Sequence, residues 1–228
     1  MIVIFDIDGT LCQTSQVDDE CWSEMVREVL GVDSISTDWG DYPHSTDEAI
    51  ACALIQEHKG VEPGRDLLDR MRDRFVALLE ATYDENPELF FQTPGAGELL
   101  SSLEEAGVHI AIATGGWRPS ALFKLQKAGL GAHNPPAAFA CDAHPREEII
   151  STALQRAAAA AGCDQEKLGR VVYVGDGLWD LRAARSMGIG FVGLAKGDRA
   201  RQLREGGAVV VLPDFSDILS FMAALDRV

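Results

Sequence analysis

The chain opens Ile2-Val3-Ile4-Phe5-Asp6-Ile7-Asp8-Gly9-Thr10-Leu11, and the rest of the sequence is best read outward from this stretch. Ile2 to Phe5 is an unbroken run of β-branched and aromatic residues, the composition of a short strand buried on both faces of a parallel sheet. It stops at two aspartates spaced two apart, followed by Gly9-Thr10. Successive residues of an extended chain point to opposite sides, so Asp6 and Asp8 can share one side at the strand's carboxyl end. In open α/β sheets ligands bind at that end. Two carboxylates delivered there suit a hard divalent cation, a nucleophile or a general acid/base. Taken alone, the stretch fits an acidic turn that caps a helix equally well.

The totals narrow the classes. At 228 residues the chain is long enough for one large core, or for a core domain with a smaller companion. A hydrophobic content of 46% and a charged content of 25% are ordinary for a globular protein. The net charge of −16 argues against nucleic acid or an anionic membrane as partner. It also requires that any anionic substrate be neutralised locally, by a metal or a few placed cations. The five cysteines, Cys12, Cys21, Cys52, Cys141 and Cys163, are odd in number and contain no C-x-x-C pair. Structural zinc and a disulfide framework are therefore not expected, and a reducing compartment is. With a strand from Ile2 there is no room for a signal peptide, and no apolar run approaches membrane-spanning length. A cytoplasmic protein is expected.

Between residues 12 and 92 nothing reads as a strand. Val17, Cys21, Trp22, Met25, Val29 and Leu30 recur at helical spacing up to Gly31. Residues 32–44 look like a loop centred on Trp39-Gly40-Asp41-Tyr42-Pro43. Ser45-Thr46-Asp47-Glu48 reads as a capping box opening a helix to about His58. Pro63 suits the first turn of a longer helix striped by Leu67, Leu68, Met71, Phe75, Leu78 and Leu79. Connections in α/β units are usually about 2–6 residues, so residues 12–92 are expected to form a helical domain inserted where it can cover the aspartates. From Thr93 helix and strand alternate: a helix to Ala106, strand 108–113, a helix from Pro119, a weak strand 137–140, and a helix from about Pro145 to Ala161. Strand 171–174, a short helix from Asp180 to Met187, strands 189–194 and 208–212, and a closing helix follow. This alternation predicts a doubly wound, mostly parallel Rossmann-like α/β core formed by residues 1–11 and 93–228.

Three predicted strand ends carry small and polar residues: Asp6/Asp8, Thr114-Gly115-Gly116, and Asp176 with Asp180. Parallel strands bring these ends to one edge. Four carboxylates gathered without a cation would repel and raise their pKa values, and Mg²⁺, which favours oxygen ligands, resolves this. The Thr114 hydroxyl and the N–H groups of Gly115 and Gly116 suit phosphate oxygens. A cation to offset charge on a transferring group is expected at Arg146, in the first turn of its helix. A surface arginine pairing with Glu147 or Glu148 fits that position equally well.

The set, in this order, resembles the haloacid-dehalogenase-like superfamily of hydrolases over essentially the whole chain, most closely its phosphoglycolate phosphatase-like branch. Asp6-Ile7-Asp8-Gly9-Thr10 looks like the first motif, Thr114 the second, and Gly175-Asp176-Gly177-Leu178-Trp179-Asp180 the fourth. The resemblance implies Asp6 as nucleophile and Asp8 as general acid/base, with Gly9 and Thr10 beside the phosphate. It implies magnesium held by Asp6, the Asp8 carbonyl and Asp176, assisted by Asp180. It also makes residues 12–92 the cap. The third motif departs, since the usual lysine is absent and Arg146 is the nearest match. The superfamily's dehalogenases lack an aspartate at the Asp8 position, and its phosphonate-cleaving branch needs a cap lysine. Asp8 is present here and Lys59 is the cap's only lysine, at a helix end, so phosphate ester chemistry is implied.

Specificity is expected in the cap and beside the second motif: Trp39, Tyr42 and His44, then Trp117 and Arg118. Each has an ordinary structural alternative, such as anchoring a loop. Cys12 and His109 are expected to be structural. The expected activity is a Mg²⁺-dependent phosphatase acting on a small phosphorylated metabolite. The alternatives are a sugar phosphomutase on the same scaffold and, further off, a non-catalytic phosphate-binding module.

Overall fold

In a computed structural model covering Met1–Val228, the opening run is strand β1 (Ile2–Phe5), every residue of which is buried. It lies between β2 (His109–Ala113) and β4 (Val171–Gly175), parallel to both. Beyond β2 lies the two-residue β3 (Ala137–Ala138); beyond β4 lie β5 (Gly190–Leu194) and β6 (Val210–Leu212). The six-stranded sheet has the order β3-β2-β1-β4-β5-β6 and all its pairs are parallel. Phe5 stands opposite Ile112 and Val174. That register brings the ends of the three central strands out at one level.

Side-chain alternation sends β1 into two cores. Val3 and Phe5 join the apolar faces of α4 (Ala96–Glu105), α5 (Arg118–Lys127) and α9 (Ile218–Leu225). The Phe5 ring meets Phe215 edge-on at 6.0 Å and Phe221 at 6.2 Å. Ile2 and Ile4 pack on the other face under α6 (Arg146–Ala160) and α7 (Leu178–Met187).

Between β1 and α4 the chain forms α1 (Ser15–Leu30), α2 (Asp47–Lys59) and α3 (Arg65–Glu85). Their apolar stripes build a third core around Trp22, Met25, Ile50, Leu54, Met71 and Phe75. The two connections to this insert clasp each other: Gln13 N–H donates to Phe91 O at 2.9 Å and Thr93 N–H to Leu11 O at 2.9 Å. Trp117, at the start of α5, reaches into the insert's core and stacks on Trp22 at 5.3 Å.

Several local expectations are corrected. The capping box at Ser45–Glu48 does not form, because its polar groups have distant partners. Asp47 accepts from Trp117 N–H (2.7 Å) and Trp22 Nε1 (3.2 Å), and the Thr46 hydroxyl donates to His144 O (3.1 Å). The third insert helix begins at Arg65 with Gly64 as its N-cap, leaving Pro63 outside. The last strand begins at Val210, because Gly206 and Gly207 turn the chain first. Between β5 and β6 stands a helix the sequence pattern did not suggest, α8 (Gly197–Glu205), in which only Ala200 and Leu203 are buried. No helix is long and apolar enough to cross a membrane.

Replacing Phe5 with alanine empties the centre of one core. The expected loss is about 3–5 kcal/mol, read as a fall in the urea midpoint at unchanged m-value; a change below about 1 kcal/mol would mean the site relaxes around the void.

Candidate active site

Asp6 continues β1 by one residue, its N–H donating to Val174 O at 2.9 Å. The chain then turns at Gly9, whose φ of +72° places it in the left-handed region. A Cβ there would lie 2.2 Å from an Asp176 carboxylate oxygen, so this crossing requires glycine. Asp176 follows the last residue of β4, and its buried carboxylate pairs with the Arg199 guanidinium from α8. Asp180, in the first turn of α7, is fully enclosed and accepts from Gly177 N–H (3.0 Å) and the Tyr173 hydroxyl (3.2 Å). Asp6, Asp176 and Asp180 each offer an oxygen within 4.8 Å of the others.

From the end of β2 come Thr114, Gly115 and Gly116. Thr114 is buried and its hydroxyl accepts from Gly116 N–H at 3.2 Å. A Cβ on Gly115 would stand 2.6 Å from Ser45 O and 2.7 Å from Arg146 Nη2. Arg146, the first residue of α6, is buried beside these groups. Its Nη1 lies 3.4 Å from Asp6 Oδ1, its Nη2 donates to Ser45 O at 3.0 Å, and its Nε stands 3.5 Å from Asp180 Oδ1 without a hydrogen bond. Asp8 is held at both oxygens, by the Thr14 hydroxyl at 2.6 Å and by Lys124 Nζ at 2.6 Å.

Burial pushes the Asp6 carboxyl well above the usual range; the Arg146 charge opposes this, and Asp180, Asp176 and Asp8 reinforce it. Asp176 is pushed up to about 7, chiefly by burial and against the pull of Arg199. Asp180 is raised by burial too. An all-oxygen set that resists ionising together suits a hard divalent cation, which would lower all three.

A cavity of about 110 Å³ opens over these groups, walled on the core side by Asp6, Asp8, Thr114, Gly115, Gly116, Arg146 and Asp176. The insert closes the other side with Asp18, Asp19, Trp22, Trp39, Ser45 and Asp47. Other residues expected at the site lie elsewhere. Tyr42 stacks on Trp39 and donates its hydroxyl to Ser36 O (3.0 Å), anchoring the loop. His44 is exposed and absent from the cavity wall. Trp117 is buried among insert aromatics, while Arg118 lies over the Phe139 ring at 5.7 Å. Gly9 and Thr10 also stay off the wall, with the Thr10 hydroxyl buried and unpartnered. Cys12 is buried and its thiol is raised by that burial, whereas His109 is exposed at the start of β2.

Asp18 and Asp47 are not expected from the sequence, whereas Lys124 is, with Lys127, the fallback cation should Arg146 not carry the third-motif role. Lys124 did carry a signal: on α5 it shares the face of Ala121, Leu125 and Ala128, where a free lysine would not sit. Burial alone would lower its pKa, but Asp18, Asp8 and Asp47 reverse this and hold the ammonium above its ordinary value. Asp47 is pushed up to about 6, mainly by burial.

A parallel sheet carrying buried carboxylates at its strand ends, faced by a guanidinium and roofed by an inserted helical unit, defines the chain as an α/β protein with an acidic, oxygen-lined pocket. A family model described as haloacid dehalogenase-like hydrolase matches residues 1–188, and the chain belongs to that family. It is similar to a phosphoglycolate phosphatase of Pseudomonas savastanoi pv. phaseolicola, with 25% identity over 96% of this chain and 78% of that protein. Among solved structures, a hydrolase from Pseudomonas syringae superposes with a TM-score of 0.72 at 21% identity, covering 97% of both chains. CbbY from Rhodobacter sphaeroides, solved in complex with phosphate, gives 0.68 at 24% identity, over 99% of this chain and 100% of that one. These two likenesses are likenesses of fold.

A carboxyl whose pKa is raised by folding favours the folded state at acid pH and loses that contribution as pH rises through the folded value. In EDTA the protein is therefore expected to lose stability from about pH 4 to about pH 7 as Asp176 ionises. Magnesium should restore it at neutral pH, by about 2.7 kcal/mol at a concentration one hundred times its Kd. Identical neutral-pH melting curves in magnesium and in EDTA would refute the cation site.

Proposed function

We propose that this hydrolase is a magnesium-dependent phosphatase that cleaves a small phosphorylated metabolite through an aspartyl-phosphate on Asp6. The observation that carries this reading is the approach of Arg146 Nη1 to Asp6 Oδ1, 3.4 Å, inside a carboxylate cluster that opens on one small cavity. Asp6, the Asp8 main-chain carbonyl and Asp176 would hold the magnesium, with Asp180 behind them. The ion supplies charge neutralisation for the phosphoryl oxygens.

The chemistry then belongs to side chains. The Asp6 carboxylate forms a bond to phosphorus as the bond to the leaving oxygen breaks, and that oxygen takes a proton from Asp8. Water next attacks the same phosphorus and gives its proton to Asp8, releasing phosphate and the Asp6 carboxylate. Arg146 offsets charge on the transferring group, while the Thr114 hydroxyl and the Gly115 N–H are suited to its oxygens, the Gly116 N–H being taken by Thr114.

The cavity also speaks to the leaving group. The insert contributes Asp18, Asp19 and Asp47 to the wall and no lysine, arginine or histidine. The two arginines that do line it are engaged by Asp6 and Asp176. A second phosphate or a carboxylate on the substrate would find no free partner there: alcohols without a second anion fit as leaving groups, and phosphoglycolate fits poorly. The five free cysteines accord with a reducing cytoplasm.

Phosphate release from a panel of phosphorylated metabolites should require magnesium, vanish in Asp6→Asn, and fall by roughly 10²–10³-fold in Arg146→Ala. Full activity in a folded Asp6→Asn protein would overturn the nucleophile. Phosphoglycolate as the best substrate would overturn the charge argument for the leaving group while leaving the mechanism standing.

A further inference from the structure

Lys124 is the most deeply buried charged side chain that the reaction above does not use, with a side-chain exposure of 1%. It rises from α5 of the core and places its ammonium between two carboxylates. One is Asp8, at 2.6 Å, and the other is Asp18 of α1 in the insert, at 2.7 Å. Asp47 of α2 adds to the negative charge around it. The Phe75 ring lies nearby, its centroid 6.0 Å from Nζ, and the buried Cys12 thiol is near enough to feel the ammonium charge. Lys124 is not part of the cavity wall, so it is not placed to touch substrate.

A carboxylate has about four lone-pair directions. In Asp8 one oxygen is taken by the Thr14 hydroxyl and the other by Lys124, which fixes the plane of the carboxyl group and leaves its remaining lone pairs to the cavity. A lysine on the buried face of α5 gains nothing over leucine or methionine by packing. Its position is explained by what it holds.

We propose that Lys124 is a positioning residue for Asp8: it orients the carboxyl group that passes a proton to the leaving oxygen and, through its second bond to Asp18, makes that orientation depend on α1 being seated over the core. This rests on Asp8 acting as the general acid, and the test separates the two claims. Lys124→Met alone leaves two carboxylates facing each other and is prone to unfold. The informative variant is therefore Lys124→Met with Asp18→Asn, in which the charge of the pair is removed together. It is compared with wild type and Asp8→Asn on two probes: the best alkyl phosphate of the panel, whose alkoxide must be protonated to leave, and acetyl phosphate, whose acetate need not be. The reading is kcat/KM, which reports the step in which the leaving group departs.

The double variant is expected to lose at least tenfold more on the alkyl phosphate than on acetyl phosphate, the same selectivity as Asp8→Asn, and Lys124→Arg should recover part of the loss. A folded double variant that keeps both rates, or loses both equally while Asp8→Asn is selective, would overturn the role of Lys124. An Asp8→Asn protein that shows no selectivity would overturn the acid assignment itself, and with it this inference.

Discussion

Three buried aspartates, two from neighbouring strand ends and one from the first turn of α7, each offer an oxygen within 4.8 Å of the others, and much of the surrounding structure serves to offset their repulsion. At an effective dielectric of about 20, each ionised pair at that distance costs about 3 kcal/mol. Three such pairs approach the whole folding stability of a domain, about 5–15 kcal/mol. The cluster cannot stand fully ionised and alone. The protein answers with Arg146 against Asp6 and Asp180 and with Arg199 against Asp176. The carboxyls still keep raised pKa values, so the cluster retains an affinity for positive charge that the protein does not fully satisfy. That residual affinity is what a divalent cation can use.

The same groups tie the insert to the core. Arg146 donates to Ser45 O, just ahead of α2, and Lys124 bonds Asp18 of α1. Asp47 of α2 accepts from Trp117 N–H, while Trp117 stacks on Trp22. Each contact joins a residue next to the chemistry with an element of the insert. The seating of the helices and the orientation of the side chains around the cavity are therefore one problem. A guanidinium suits the Arg146 position because its fork bonds in two directions within a plane, toward Asp6 and toward Ser45.

What could be read from the sequence follows from where the information sits. Asp6, Asp8, Thr114, Asp176 and Asp180 lie in short contiguous signatures at strand ends, and the parallel alternation of elements is enough to gather them. Arg146 was legible as the first residue of a helix on the same edge. Helix α8 was not, because a helix that buries only Ala200 and Leu203 carries almost no apolar period. Nor was the cage around Lys124, whose partners are 116 and 106 residues away in the chain. Tyr42, His44 and Arg118 show the opposite error. They stand near the right segments, but backbone direction turns their side chains to the loop, to solvent and to Phe139. Proximity in sequence fixes a residue's neighbourhood and leaves its orientation open.

A chain of net charge −16 that handles an anion must overcome its own field. Long-range attraction cannot do this, so recognition has to be local and has to follow desolvation. The carboxylates of the insert wall are already committed: Asp18 to Lys124, Asp19 to Trp39 Nε1, and Asp47 to Trp117 N–H and Trp22 Nε1. Each bond turns a diffuse negative charge into a fixed, partly neutralised acceptor, while Arg146 faces the cavity from the core side. Under the proposed function, the wall then excludes a second anion without expelling the first. Specificity under that proposed function comes from charges the insert withholds as much as from contacts it makes.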